Sequence, residues 1–316
     1  MRPTLLSLPL LALPGLAAAA PPAVVTDIPA VQSLVAQVMG DLGTPTVLLE
    51  KGANAHNYQL RPSQARALSE ADLLIWIGQE MTPWLARNAS DGDRHALSLL
   101  HAPGTLIREF GHESEAEAHD AEDHAEHDTH AHDTHDAAEH DHDGLDPHAW
   151  LDPANARIWL GLIAEELAHL DAPNAAIYRA NAQAAQDRTD QLLADLTAML
   201  EPVADKPFVV FHDAYGYFAG RFDLHVAGAV ALGDAAAPGA QHLGELRETL
   251  AQAGVVCAFP EAQHDPKLLA QLVEGSAVRL GATLDPAGSA QDPGPGLYDA
   301  LIRGMGAAIA DCLGQD

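Results

Sequence analysis

Residues 23–39 read Ala-Val-Val-Thr-Asp-Ile-Pro-Ala-Val-Gln-Ser-Leu-Val-Ala-Gln-Val-Met, and their reading decides the fold. Ala23 to Ile28 is a short, largely β-branched run of the kind that forms a buried strand. Pro29 then opens a segment, ending at Met39, whose apolar residues recur at helical spacing. A strand that passes directly into a helix is the repeating unit of α/β folds. The pattern continues outward. Thr46 to Leu49 reads as a second strand, Gly52 to His56 as a loop, and Ser63 as the cap of a helix from Gln64 to Ser69. Leu73 to Ile77 reads as a third strand. This alternation predicts an α/β layer with a mainly parallel sheet.

Pro153 begins an Ala-rich helical stretch, interrupted only at Asp171-Ala172-Pro173-Asn174. The part from Asn174 to Leu200 would be about 40 Å long at 1.5 Å per residue. The α/β pattern then restarts, with strands at Phe208–Phe211, Leu224–Val230, Gly254–Phe259 and Val278–Leu284. Helices fall near His242–Ala253, Pro266–Gly275 and Leu297–Leu313. The reading is an N-terminal lobe over residues 21–153, a linking helical segment over 154–205 and a C-terminal lobe over 206–316.

The first residues, MRPTLLSLPLLALPGLAAAAPPA, have one Arg, an apolar stretch and a run of small residues. This is the pattern of a secretory signal peptide, assigned to 1–20. No Cys lies near the expected cleavage point, so no lipid anchor is expected. The mature chain is read as a soluble exported protein, periplasmic in a cell with two membranes. The formal charge of −29 argues against a nucleic-acid partner, because phosphates would be repelled. Cys257 and Cys312 are the only cysteines. An even pair in an oxidising compartment suggests one disulfide, with two unpaired thiols as the alternative.

Between Phe110 and Asp146 the chain carries nine of its 18 histidines, at His112, His119, His124, His127, His130, His132, His135, His140 and His142. Their neighbours are mostly Asp, Glu, Ala and Thr, so the run cannot supply a core and is predicted to be a disordered loop over 112–145. Neutral imidazole is a common transition-metal ligand, and interleaved carboxylates add attraction for a divalent cation. The run is read as a set of auxiliary metal sites.

Open α/β sheets bind ligands beyond the carboxyl ends of their strands. His56 follows the second strand, His148 follows the acidic run within Asp146-Pro147-His148-Ala149-Trp150, His212 follows Phe211, and Asp285 follows Leu284. Two come from each lobe and can meet between them. Three imidazoles with one carboxylate, or water in its place, suit tetrahedral zinc, whereas manganese prefers more oxygen ligands. Asp285 before Pro286 can equally cap a turn. Glu261 is read as structural, or as an acceptor for a ligating imidazole. Asp213 can orient an imidazole or cap a helix. His95, His101, His169, His225, His242 and His264 lack comparable context and are read as surface or core residues.

The stretches GANAHNYQLRPSQARALSEADLLIWIGQEM, GLDPHAWLDPANA, FVVFHDAYGYF and GATLDPAG, in that order, resemble the zinc-specific solute-binding proteins of ATP-binding-cassette importers, the ZnuA type. The resemblance covers nearly the whole mature chain. It implies two (β/α)4-like lobes joined by a single long rigid helix, with the metal in the cleft between them. It implies that His56, His148 and His212 ligate Zn²⁺ and that Asp285 supplies the fourth ligand or shares that place with water. It also implies a Cys257–Cys312 disulfide, and delivery of the cation to an inner-membrane permease by a monomeric, non-enzymatic protein. Ala55 precedes the first histidine, where the family usually has an acidic or a small residue, so an extra carboxylate from that position is absent, and Ala287 stands where Leu often follows Asp-Pro. Two other classes compete: a periplasmic metal store or buffer, and a zinc hydrolase. The hydrolase reading lacks an HExxH motif and a Glu beside a ligand as general base.

Overall fold

The computed structural model describes residues 20–89, 95–110, 144–231 and 238–315. The predicted signal peptide up to residue 19 and the His-rich run over 111–143 lie outside them. The two flanks of that run are described, and an antiparallel bridge between Glu109 and Leu145 holds them together.

The first lobe begins with β1 (Val24–Thr26) and α1 (Pro29–Met39). It continues with β2 (Thr46–Val47), α2 (Pro62–Glu70), β3 (Leu73–Trp76), α3 (Pro83–Ala89) and β4 (His95–Ser98). The strands form one parallel sheet in the order β2-β1-β3-β4. α4 (Pro153–Leu170) and α5 (Ala175–Leu200) follow. The second lobe holds β5 (Phe208–His212), α6 (Gly216–Phe222), β6 (Val226–Ala231), α7 (Ala240–Gln252), β7 (Cys257–Ala258), α8 (Pro266–Val273), β8 (Arg279–Leu280) and α9 (Leu297–Leu313). Its strands are again all parallel, in the order β6-β5-β7-β8. The expected α/β fold with two parallel-sheet lobes is what the chain adopts.

Several local readings change. α2 starts at Pro62 with Arg61 at its cap position, not Ser63, and Gln64 Oε1 accepts the Arg61 N–H at 2.7 Å. The ladders are shorter than the apolar runs: the runs at Leu48, Leu49 and Ile77 continue as buried chain, while Ala282 and Thr283 after β8 are exposed. Leu48 and Leu49 still donate to the carbonyls of Thr26 and Asp27. β4, α3 and α6 are additional elements. β4 is an edge strand with a half-exposed His-Ala-Leu-Ser sequence, which gives no strong apolar signal.

The long expected helix is α5, with 26 residues. It packs antiparallel on α4 through a turn in which Asp171 Oδ2 accepts from Asn174 Nδ2 and Tyr178 Oη at 2.7 and 2.8 Å. α9 crosses α5 at Gly306, where a Cβ would lie 2.4 Å from Leu196 Cδ2, so only glycine fits without a shift. α1 is buried at all of its positions, enclosed by the first sheet, α4, α5 and α9. Several of its polar groups are bonded there: Ser33 Oγ accepts from Tyr298 N at 2.9 Å, Gln37 Oε1 accepts from Arg188 Nη2 at 2.8 Å, and Gln32 Nε2 donates to Pro45 O at 3.3 Å, while Gln32 Oε1 is buried without a partner among the described residues. One apolar cluster runs without a gap from Val24 and Ile28 through Trp150 and Tyr215 to Tyr298 and Leu313, so both lobes share a core. The Cys257–Cys312 disulfide joins β7 to α9.

Asp27, fully buried after β1, ties this lobe together. Its carboxylate accepts the Ile28 N–H and the Ile77 N–H, each at 2.8 Å. Burial pushes the carboxyl up to about 7 against the pull of these bonds. Asp27→Ala removes the acceptor for both amides inside the core. We expect a loss of about 2–4 kcal/mol, read as a lower urea midpoint at unchanged slope.

Candidate metal centre

Local chain geometry fixes three histidines at the facing edges of the lobes. His56 lies in the loop between β2 and α2, where its N–H donates to Asn54 Oδ1 at 2.8 Å in a tight turn. Trp84 Nε1 donates to Ala55 O at 2.6 Å and pins that loop from α3. Gly52, at φ 78°, lets the loop turn, and its N–H donates to Ser289 O of the other lobe at 2.9 Å.

His148 sits just before a 3-10 turn over Ala149–Leu151 and is 1% exposed. Asp146 Oδ1 accepts both its backbone N–H, at 3.0 Å, and its ring Nδ1–H, at 2.7 Å. Two residues on, Trp150 Nε1 donates across the lobes to Pro286 O at 2.7 Å. His212 is the last residue of β5 and 6% exposed. Its Nδ1 lies 2.5 Å from Glu261 Oε2, which also accepts from Tyr215 Oη at 3.3 Å. In both bonds a carboxylate holds Nδ1 as the protonated nitrogen, so Nε2 is the nitrogen left for a cation.

The three rings converge. Their centroids are 5.4 Å apart for His56 and His148, 5.3 Å for His148 and His212, and 6.4 Å for His56 and His212. One ligand nitrogen from each lies within 4.8 Å of the others. They line one narrow cavity together with Met81, Trp150 and Pro286. The His56 imidazole is held well below its ordinary pKa, first by burial and then by repulsion from His148, His212 and His264. It is therefore neutral and able to ligate at neutral pH.

Asp285 is placed differently from the three histidines. Its Oδ1 accepts from Ser289 N at 3.0 Å and Gln263 Nε2 at 3.1 Å, and its Oδ2 accepts from Ala290 N at 2.9 Å. The carboxylate thus caps the turn after β8, and among the described residues it is in neither cluster of candidate ligand atoms. Asp213 is half-buried, and its carboxyl is raised by burial and then by the Asp146 charge. His264, read from the sequence as surface or core, lines the cavity and belongs to a second cluster with His212 and Glu261. The available signal was its place three residues after Glu261, which a tight turn brings back to the same carboxylate. The His-rich run's nine histidines lie outside the described residues.

Comparison with known proteins agrees with this geometry. A family model described as zinc-uptake complex component A periplasmic, ZnuA, matches residues 24–312. The high-affinity zinc uptake system protein ZnuA of Paracoccus denitrificans (strain Pd 1222) is 53% identical over 302 residues, covering 93% of each chain. The protein of that name from Brucella suis biovar 1 is 36% identical over 316 residues, covering 92% of each. A zinc-bound crystal structure of a 138–173 deletion mutant of ZnuA superposes with a TM-score of 0.72 at 25% identity, covering 94% of this chain and 99% of that one. The periplasmic zinc-binding protein TroA from Treponema pallidum shares the fold, with a TM-score of 0.72 at 20% identity over 93% of this chain and 99% of its own. With the family model spanning both lobes and the loops that carry all three clustered histidines, the chain belongs to the ZnuA family of periplasmic zinc-uptake components.

Proposed function

We propose that this protein captures Zn²⁺ in the periplasm and delivers it to the inner-membrane permease of an ATP-binding-cassette importer. The observation that carries the reading is the convergence of His56, His148 and His212, two of them with a carboxylate behind Nδ1. Three neutral imidazoles presenting Nε2 make a tetrahedral zinc site with one open position. Water takes that position, or Asp285 does after leaving its turn. Residues 1–20 act as a cleavable signal peptide, and the mature chain acts as a monomer.

Zinc is cargo here and the protein is not an enzyme. A hydrolase would need a carboxylate free to act as general base beside the metal. Glu261, the nearest carboxylate to the ring of His212, is engaged by His212 and Tyr215. The histidines of residues 112–142 add weaker, exchangeable sites. A store or buffer is the competing role, and it would place the tight site in that run. Because the lobes share one core, release follows from small shifts of the cavity loops, with the permease binding the emptied form more tightly.

Competitive titration of the full chain against a chelator tests the ligand set. His212→Ala is expected to weaken zinc binding at least about 100-fold, and Asp285→Ala by less than about tenfold. Tight binding that survives His212→Ala would move the site to the His-rich run and favour the storage role. Glu261→Gln frees the His212 tautomer and is expected to weaken binding about 10–100-fold with the fold intact by circular dichroism. Lowering the pH protonates the imidazoles and weakens binding. Because burial and the neighbouring imidazoles depress the pKa of His56, its ring resonances in an NMR titration of the apo protein should have a midpoint below the ordinary value of about 6.5.

A further inference from the structure

The second ligand cluster has a chemistry of its own. His264 follows Glu261 in a turn closed by the His264 N–H on Glu261 O at 3.2 Å. Its ring stacks on Phe211 at 4.2 Å with 20° between the planes, which fixes its orientation. Its Nε2 lies 3.7 Å from Glu261 Oε1. Two ligand atoms each about 2.1 Å from a tetrahedral zinc ion lie ~3.4 Å apart, so a cation fits between them with little movement. The other Glu261 oxygen, Oε2, stays on His212 Nδ1 at 2.5 Å.

Burial sets the order of these groups. The side chain of His264 is 24% exposed, against 7% for His212 and 3% for Glu261. His264 therefore meets the solvent, while the carboxylate it shares reaches inward to a ligating imidazole. A hydrated divalent ion must exchange its waters for protein atoms one after another. A half-exposed imidazole with a buried carboxylate offers the first two replacements, and a ring nitrogen of His212 lies within 4.8 Å of a ligand atom of each.

We propose that His264 and Glu261 form an outer docking site for the hydrated zinc ion, from which it passes to His56, His148 and His212. This rests on the reading that those three histidines hold the ion. The outer site shortens both entry and exit and is vacated in the loaded protein. It thus sets rates and leaves the equilibrium affinity almost unchanged.

The test compares the full chain with His264→Phe, which keeps the stack on Phe211 and removes the ligand nitrogen. Zn²⁺ capture, and release of one bound Zn²⁺ to excess chromogenic chelator, are followed by stopped flow, and affinity by competition. Both carry the same His-rich run, so the difference isolates residue 264. The expected result is that capture and release both slow by at least about fivefold while affinity stays within about twofold. His264→Asp, which restores a ligand oxygen, should recover part of the rate. Rates within about twofold of the parent overturn the docking site, as does a loss of affinity from faster release alone, which would put His264 in the final coordination shell. A parent that binds no zinc through His212 overturns the ligand reading and the docking site together.

Discussion

The shared apolar core is the constraint on which the rest of this structure depends. α1 is buried on every side because it packs on the first sheet and on the helices that run into the second lobe. The two lobes therefore cannot separate without exposing that helix, and burial of a single large apolar side chain is worth about 1.5–3 kcal/mol. The cross-lobe bonds have the same effect at smaller scale. Arg221 grips Asp152, the N-cap of α4, with two bonds at 2.7 and 2.8 Å, and Trp150 is tied to the Pro286 carbonyl. The cavity walls are thus set by packing before any cation arrives.

Within that frame, electrostatics decides what the cavity takes. Buried imidazoles close together disfavour their own protonation, which shows in the depressed His56. The carboxylates of Asp146 and Glu261 stand behind the rings of His148 and His212, where they orient them and add negative charge without occupying the metal's own space. A site of this kind favours a borderline cation with nitrogen affinity over a hard cation that wants several oxygens.

Much of this was legible in the sequence because the signals were local. The apolar run at Val24–Ile28 followed by Pro29 identified the first strand and helix, and the same grammar at Phe208–His212 placed a histidine at a strand end. His56, His148 and His212 could be picked out because each follows a strand or a turn signal. The fate of the Asp285 carboxylate was not legible in the same way. Asp-Pro fits a turn cap and a ligand equally, and the choice depends on where the Ser289 and Ala290 amides lie. His264 was missed because its role comes from stacking on Phe211 and sharing the Glu261 carboxylate, neither of which leaves a periodic trace. β4 and α6 were missed because a half-exposed edge strand and a seven-residue helix carry too little pattern.

The two sheets share one strand order, yet their crevices are used differently. In such sheets the natural ligand crevice lies where the chain reverses its direction of winding. That point falls between β5 and β7 in the second lobe and between β1 and β3 in the first. In the second lobe the crevice is occupied by His212, at the end of β5, and Glu261, beyond β7. In the first it is plugged from within, because the Asp27 carboxylate after β1 reaches across to the Ile77 amide after β3. Two halves of like topology therefore differ in use: among the described residues the second lobe's crevice holds candidate ligand atoms of His212 and Glu261, while the first lobe's is filled by its own Asp27 and it meets the cavity with loop residues such as His56.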